Sequence, residues 1–159
     1  MTAGGGDTEG SAATRARAVL ERIAEEVGVQ TRVKVAEDAE SVMAEFTGED
    51  LGLLIGHHGQ TIDAIQHLVQ RVVFQGREER KRLVVDAAGY RERRGASLRA
   101  SADEAAEAAL RGGRAVGLDA MSAQERKVVH EHLSTRVGVE TYSEGQEPSR
   151  HVVVAPVVE

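Results

Sequence analysis

Several residue types are absent or scarce in this chain of 159 residues, and each shortage excludes a class of protein. Cysteine is absent, which excludes disulfide frameworks, thiolate zinc sites, iron–sulfur clusters and cysteine nucleophiles. Two tyrosines, two phenylalanines and no tryptophan are too few for a nucleic-acid surface built on stacked aromatic rings. No apolar run approaches the roughly 20 residues that cross a bilayer, and residues 1–13 lack the features of a signal peptide. These absences predict a soluble, cytoplasmic protein without membrane insertion.

Charge is unevenly distributed along the chain. The net charge of −6 at neutral pH has the wrong sign for a nonspecific polyanion binder. Residues 1–50 carry −6, residues 51–100 carry +4, and residues 101–159 carry −4. Arginine supplies 17 of the 20 basic residues, which suits bidentate contacts to phosphate but is equally expected from a GC-rich genome. The middle of the chain is therefore the region best suited to an anionic partner.

The first half of the chain predicts elements in the order αββααβ. Residues 1–13 contain almost no bulky apolar side chain and predict a disordered tail. From Thr14 apolar residues recur at helical spacing as far as Gly28, and two alternating segments around Val33 and Val42 then predict a hairpin. A short apolar run ends at Gly56, and a strand is predicted at residues 83–85. The helix between them has an apolar stripe of Ile62, Ile65, Leu68, Val69, Val72 and Val73.

The second half predicts helices packed on a small β-sheet. A helix is expected from Tyr90 to Leu110, followed by a short strand at residues 116–118. Ser122 and Glu125 have capping-box spacing and open a helix that continues to Thr135. Alternating segments at residues 139–143 and 150–155 predict a closing hairpin. The sequence therefore predicts an α+β fold with a tail (1–13) and two small domains (14–87 and 88–157).

Gly56, His57, His58 and Gly59 form a GxxG tetrad between the short apolar run and the helix that begins with Gln60 and Thr61. With helix, strand and strand before it and a strand after it, this segment resembles a type II KH domain. The resemblance implies that the two glycines let the backbone approach a sugar–phosphate chain. It also implies that the N-terminus of the next helix points toward the phosphates. Residues 56–61 are therefore the first predicted nucleic-acid-binding site.

Two features qualify this site. Its inner loop positions are histidines, which are mostly neutral near pH 7 when unperturbed, so phosphate attraction is expected to be weak or pH-dependent. We expect single-stranded bases to lie in a groove between the helix after the loop and the strand containing Val33 or Val42. The cations that follow the helix either receive phosphates or form a solvated charged turn: Arg71, Arg77, Arg80, Lys81 and Arg82. No cofactor or metal site is predicted, because adjacent histidines point apart and no further ligand has suitable spacing.

Arg126 and His130 are four residues apart on the predicted helix of residues 123–135 and so lie near each other on its surface. This spacing is the signature of the R-three-H domain, although such a pair is more often a solvated face. The flanking segments are YRERR (90–94), LDAMS (118–122), ERKVVH (125–130), VETYSEG (139–145) and PSRHVVV (148–154). With them the chain resembles the bacterial Jag family, also called KhpB or SpoIIIJ-associated, over about residues 14–156. We expect it to lack the extra N-terminal domain of many Jag proteins.

The resemblance implies a non-enzymatic, regulatory protein that binds single-stranded RNA, or single-stranded DNA. It implies a second nucleic-acid-binding site of Arg126, Lys127, His130 and Arg150, because guanidinium and imidazole groups grip phosphate or stack on bases. The alternative is an adaptor that pairs with a small KH protein such as KhpA, or with a second copy, with RNA contact secondary. An enzyme is the least favoured interpretation, because no nucleophile elbow, phosphate-binding loop of the Walker type or metal-ligand spacing is present.

Overall fold

The structure, a computed structural model, describes residues 10–157, so most of the predicted disordered tail lies outside the described residues. Its helices are α1 (Ala12–Val27), α2 (Gly52–Ile55), α3 (Gln60–Phe74), α4 (Tyr90–Gly112) and α5 (Ala123–Leu133). Its strands are β1 (Arg32–Glu37), β2 (Ser41–Thr47), β3 (Arg82–Ala87), β4 (Val116–Gly117), β5 (Val139–Glu144) and β6 (His151–Pro156). The predicted α+β class is confirmed. The chain divides into two compact units after Arg91, four residues beyond the predicted boundary.

Helix α1 begins at Ala12, two residues earlier than predicted. Ser11 caps it, because the Ser11 side-chain oxygen accepts a hydrogen bond from the Thr14 N–H at 3.2 Å. Ala12 is buried in the core of the first unit, so the predicted tail extends too far into the helix. Gly28 ends the helix in the left-handed conformation that its position predicts, with φ of 78°.

The first unit is a three-stranded sheet with helices packed on one of its faces. The strand order is β1-β2-β3, with β1 antiparallel to β2 and β2 parallel to β3. A parallel pair needs a crossover, which α2 and α3 supply. The core side chains of the sheet include Val42, Phe46 and Val85, all completely buried. The predicted αββααβ order is present, with one additional 3₁₀ turn at His57–Gly59.

Helix α3 buries a narrower face than the sequence predicts. Ile62, Ile65, Val69 and Val73 are buried, in agreement with the predicted stripe. Leu68 and Val72 are not in the core, because 51% and 48% of their surfaces are exposed. At 100° per residue these two side chains lie on one flank of the buried line, so the helix turns them toward solvent. This pair is the one part of the predicted stripe that is wrong.

The second unit packs two helices on a small antiparallel sheet with strand order β4-β6-β5. The capping box of α5 is confirmed, since the Ser122 hydroxyl accepts from the Glu125 N–H and the Glu125 carboxylate accepts from the Ser122 N–H. Helix α5 ends at Leu133, two residues before the predicted end. The core includes Leu98, Ala102, Ala105, Ala106, Met121, Val129, Leu133, Val152 and Val154. Within residues 10–157, no helix has the length and apolar character that crossing a membrane requires.

Candidate nucleic-acid interface

The predicted loop of the first unit lies between α2 and α3, and both of its glycines adopt backbone angles that favour glycine. Gly56 has φ of 73° and Gly59 has φ of 78°. A Cβ atom at Gly56 would lie 2.0 Å from the Thr61 Oγ1 atom, and one at Gly59 would lie 2.6 Å from the Tyr90 Cε1 atom. Neither position therefore has room for a larger residue, and both backbone segments stay uncovered by side chains of their own.

The two histidines occupy the tip of this loop. His57 is exposed, and His58 is half-buried with a positive φ of 51°. Their rings are stacked, with centroids 3.9 Å apart and planes inclined by 27°. Gln60 and Thr61 are exposed in the first turn of α3. Gly59 and Gln60 donate their N–H groups to the carbonyl oxygens of Gly56 and His57, so the helix dipole, rather than these two N–H groups, favours an anion there.

The five cations at the end of α3 and after it have different roles. Arg80 holds the turn together by donating to the carbonyl oxygens of Phe74 at 2.9 Å and Glu79 at 3.0 Å. Arg71 and Arg82 are exposed, with no side-chain hydrogen bond or ion pair to any of residues 10–157. Arg71 and Arg80 also line an open cleft of about 520 Å³ at the end of α3. This cleft could not be found from the sequence, because its shape depends on where the turn folds.

Lys81 is likewise a structural residue in the first unit. Its ammonium group lies 2.7 Å from Glu37 Oε1 and donates to the carbonyl oxygen of Asp38 at 2.8 Å. The hydrogen bond from Lys81 lowers the pKa of Glu37 and raises the pKa of Lys81 itself. Backbone N–H groups of Glu40 and Ser41 lower the pKa of Asp38. These contacts connect the β1–β2 turn to the start of β3.

The predicted groove against Val33 or Val42 is wrong, because both side chains are buried in the core. The strand beside α3 is β3, whose outer edge is occupied by glutamine side chains. Gln66 Oε1 accepts from the Val85 N–H at 2.9 Å, and Gln70 Oε1 accepts from the Leu83 N–H at 3.1 Å. The sequence alone does not identify Gln66 and Gln70 as residues that cover the edge of β3, because this role depends on how β3 is aligned with α3.

Arg126 of the second unit is buried, with only 8% of its surface exposed. Its Nη1 atom donates to the carbonyl oxygen of Met121 at 2.7 Å. Its Nη2 atom forms an ion pair with Glu147 Oε1, also at 2.7 Å. Sequence reasoning did not identify Glu147, because the residue lies 21 positions away in a turn and no local pattern connects the two.

His130 is also held by its own unit. Its Nδ1 atom is 2.7 Å from the Thr141 hydroxyl and its Nε2 atom is 3.0 Å from the Ser143 hydroxyl. A neutral imidazole donates through one nitrogen and accepts through the other, and a hydroxyl can serve either. His130 therefore ties α5 to β5 through both ring nitrogens.

The remaining predicted residues of this site differ in exposure. Arg150 donates to the carbonyl oxygen of Gly145 at 2.7 Å and so supports the turn before β6. Lys127 is 74% exposed and lies 3.6 Å from Glu131. Of the four predicted residues, Lys127 alone extends fully into solvent. Among residues 10–157 there is no group of three or more side chains arranged to hold a metal ion.

Comparison with known proteins adds two family matches. Residues 15–86 match the KhpA/KhpB KH domain, and residues 96–156 match the R-three-H domain. Three similar proteins each bear the name RNA-binding protein KhpB. The relative from Clostridium symbiosum is 36% identical over 81% of this chain and 58% of its own length. Those from Lactiplantibacillus plantarum and Bacillus subtilis are 38% and 34% identical over 84% and 89% of this chain. The chain spans 41% and 69% of their respective lengths.

Proposed function

Because the chain belongs to the KhpB/Jag family, we propose that it is a non-enzymatic protein that binds single-stranded RNA and regulates the bound transcript. Its similarity to proteins named for RNA binding supports this proposal. The family predicted from the tetrad and the Arg126/His130 helix is confirmed. The basic middle third of the chain, which includes α3 and its loop, fits a polyanionic partner better than the acidic ends do.

The observation that carries the proposal is the geometry of the Gly56–Gly59 loop. Gly56 and Gly59 have positive φ, Gly59 is buried beside the Tyr90 ring, and the exposed His57 and the first turn of α3 lie at the surface of the loop. We propose that a phosphate of the RNA backbone binds at the exposed tip of this loop, beside His57 and the positive end of the α3 dipole. Arg71, which has no partner among residues 10–157, lies about 16 Å further along the axis of α3 than Gln60, and we propose that it contacts a more distant phosphate.

We propose that the second unit contacts the RNA more weakly, through Lys127 and through Arg126 once that group is accessible. His130 and Arg150 have structural roles there, because each is hydrogen-bonded to β5 or to the turn beside it. Two weak contacts on one chain raise the overall affinity by increasing the effective concentration of the second site.

The test is fluorescence anisotropy of the full chain with a short single-stranded RNA pool. Replacing both loop histidines, His57→Asp with His58→Asp, places two carboxylates where a phosphate is proposed, and aspartate tolerates the positive φ of residue 58. We expect the affinity to fall by about tenfold or more, in line with the repulsion of one phosphate contact.

The matched control is Gln30→Asp, which places a carboxylate at an exposed, uncharged position of the first unit outside α3 and its loop. We expect this control to lose no more than about threefold in affinity, as a general charge effect. Equal affinity of the loop variant and the control would contradict the role of the loop. A single-stranded DNA pool run in parallel distinguishes RNA from general single-strand binding.

The adaptor function is the second candidate, and exposed apolar side chains in the first unit favour it. Leu53 on α2, and Leu68 and Val72 on α3, leave about half or more of their surfaces exposed. A complex with a small KH protein that persists at high salt and after nuclease treatment, together with no RNA binding in the anisotropy assay, would favour this function over the first.

A further inference from the structure

The Arg126–Glu147 ion pair joins a buried group to an exposed one. The Arg126 side chain is only 10% exposed, whereas the Glu147 side chain is 60% exposed. Their contact distance of 2.7 Å is that of a charge-assisted hydrogen bond. The carboxylate of Glu147 therefore covers the guanidinium group from the solvent side.

The two partners are also anchored very differently. Arg126 belongs to the first turns of α5, its backbone N–H donates to the Ser122 carbonyl oxygen, and its Nη1 atom is fixed on the Met121 carbonyl oxygen. Glu147 lies in the turn between β5 and β6, where its side chain forms no hydrogen bond or ion pair with residues 10–157 other than the one to Arg126. A rotation of the Glu147 side chain would uncover Arg126 without any change in the helix.

Carboxylate and phosphate oxygens compete for the same guanidinium N–H groups. A buried arginine that loses its anion is costly to the fold, so Glu147 can leave only when another anion takes its place. An RNA phosphate that approaches the turn from solvent meets this requirement, because it carries negative charge and accepts from the same Nη2 atom. Exchange of one anion for the other keeps the buried charge neutralised at each stage.

We propose that Arg126 is a phosphate-binding group whose site is occupied by the Glu147 carboxylate in the free protein, and that RNA binds by replacing this carboxylate. The proposal rests on the proposed RNA-binding function. It assigns Glu147 a role as an internal competitor that weakens RNA binding, in addition to neutralising Arg126.

The test compares Glu147→Gln with Glu140→Gln in the full chain, using the same RNA pool and anisotropy assay. Both variants remove one negative charge from an exposed side chain of the second unit, and Glu140 has no side-chain partner among residues 10–157. We expect Glu147→Gln to bind RNA about three- to tenfold more tightly than Glu140→Gln, as removal of a competing contact predicts. The gain should disappear when Arg126→Gln is combined with Glu147→Gln.

Thermal unfolding of each variant is measured alongside. If wild type binds RNA and Glu147→Gln binds no better than Glu140→Gln, the competitor role is wrong while the proposed function stands. If wild type itself does not bind RNA, the proposed function fails first. If Glu147→Gln is unfolded at the assay temperature without RNA, its refolding on addition of the RNA pool supports the exchange of anions, and failure to refold overturns the proposal.

Discussion

The two units contain motifs of comparable length that the structure uses in opposite ways. In the first unit, Gly56 and Gly59 give a loop its backbone shape through positive φ, and the exposed His57 lies at the tip of this loop. In the second unit, Arg126 and His130 are turned toward their own sheet and turn, where hydrogen bonds engage Nη1 and Nη2 of the arginine and both ring nitrogens of the histidine. The first motif presents an exposed loop tip, whereas the second mainly connects elements of the fold.

The contrast shows what residue spacing does and does not establish. An i,i+4 pair is certain to share one side of a helix, but the spacing does not say whether that side faces solvent. Glycines at positive φ are more informative, because they report a backbone shape that the motif itself requires. A motif made of backbone can therefore be placed from the sequence more securely than one made of polar side chains.

The largest expected effect comes from breaking the backbone motif with Gly56→Ala. The new Cβ atom would lie 2.0 Å from Thr61 Oγ1 and 2.9 Å from the Thr61 backbone nitrogen, in addition to the cost of a positive φ. We expect the first unit to lose about 3 kcal/mol of stability, measured by chemical denaturation. RNA affinity should fall with it, because the loop backbone must move.

Gly76→Ala is the matched control, since Gly76 has φ of 69° and no atom lies within 4 Å of its added Cβ. We expect this variant to lose only about 1 kcal/mol, which is the cost of the left-handed conformation. Equal losses of stability in the two variants would show that the structure around Gly56 adjusts to the added Cβ atom at no cost. The contrast between the Gly56–Gly59 loop and the Arg126/His130 motif would then not hold.

The next effect tests the structural role of the second motif. His130→Ala removes the contacts to the Thr141 and Ser143 hydroxyls and leaves a gap between α5 and β5. We expect the second unit to lose about 2 kcal/mol of stability in urea denaturation, with RNA affinity unchanged once the unfolded fraction is subtracted.

His67→Ala serves as the control, because His67 is exposed on α3 and makes no contact of this kind with residues 10–157. It should change stability by no more than about 0.5 kcal/mol. If folded His130→Ala instead loses RNA affinity at unchanged stability, His130 is a contact residue and the two motifs act alike.

Much of the fold could be predicted because its signals are local. Gly28 as a left-handed cap, the Ser122–Glu125 capping box and the alternation around Val42 each depend on a few neighbouring residues. The burial of Arg126 could not be predicted, because it depends on an ion pair with Glu147, which lies in a turn distant in sequence. Leu68 was misplaced for a related reason, since the width of a buried helix face depends on what packs against it.

The smallest expected effect is a pH dependence that reports on the first unit. The Lys81 hydrogen bond holds the pKa of Glu37 below its ordinary value, and the turn N–H groups do the same for Asp38. A carboxylate with a lowered folded-state pKa stabilises the fold fully above its unfolded pKa, and this contribution is lost as pH falls through the folded pKa. We therefore expect the melting temperature to fall between about pH 5 and pH 3. Glu37→Gln should lower the melting temperature by roughly 2–4 °C at pH 7, and the melting temperature of this variant should fall less in acid than that of wild type.

Glu49→Gln is the control for this last prediction, because Glu49 is exposed in the same unit and has no ion pair with residues 10–157. Its melting temperature should follow that of wild type at every pH. The Glu37 and Lys81 side chains are both mostly covered, so the ion pair should persist in moderate salt, where exposed pairs are screened. If Glu37→Gln and Glu49→Gln show the same acid profile, the link between the β1–β2 turn and Lys81 does not stabilise the unit.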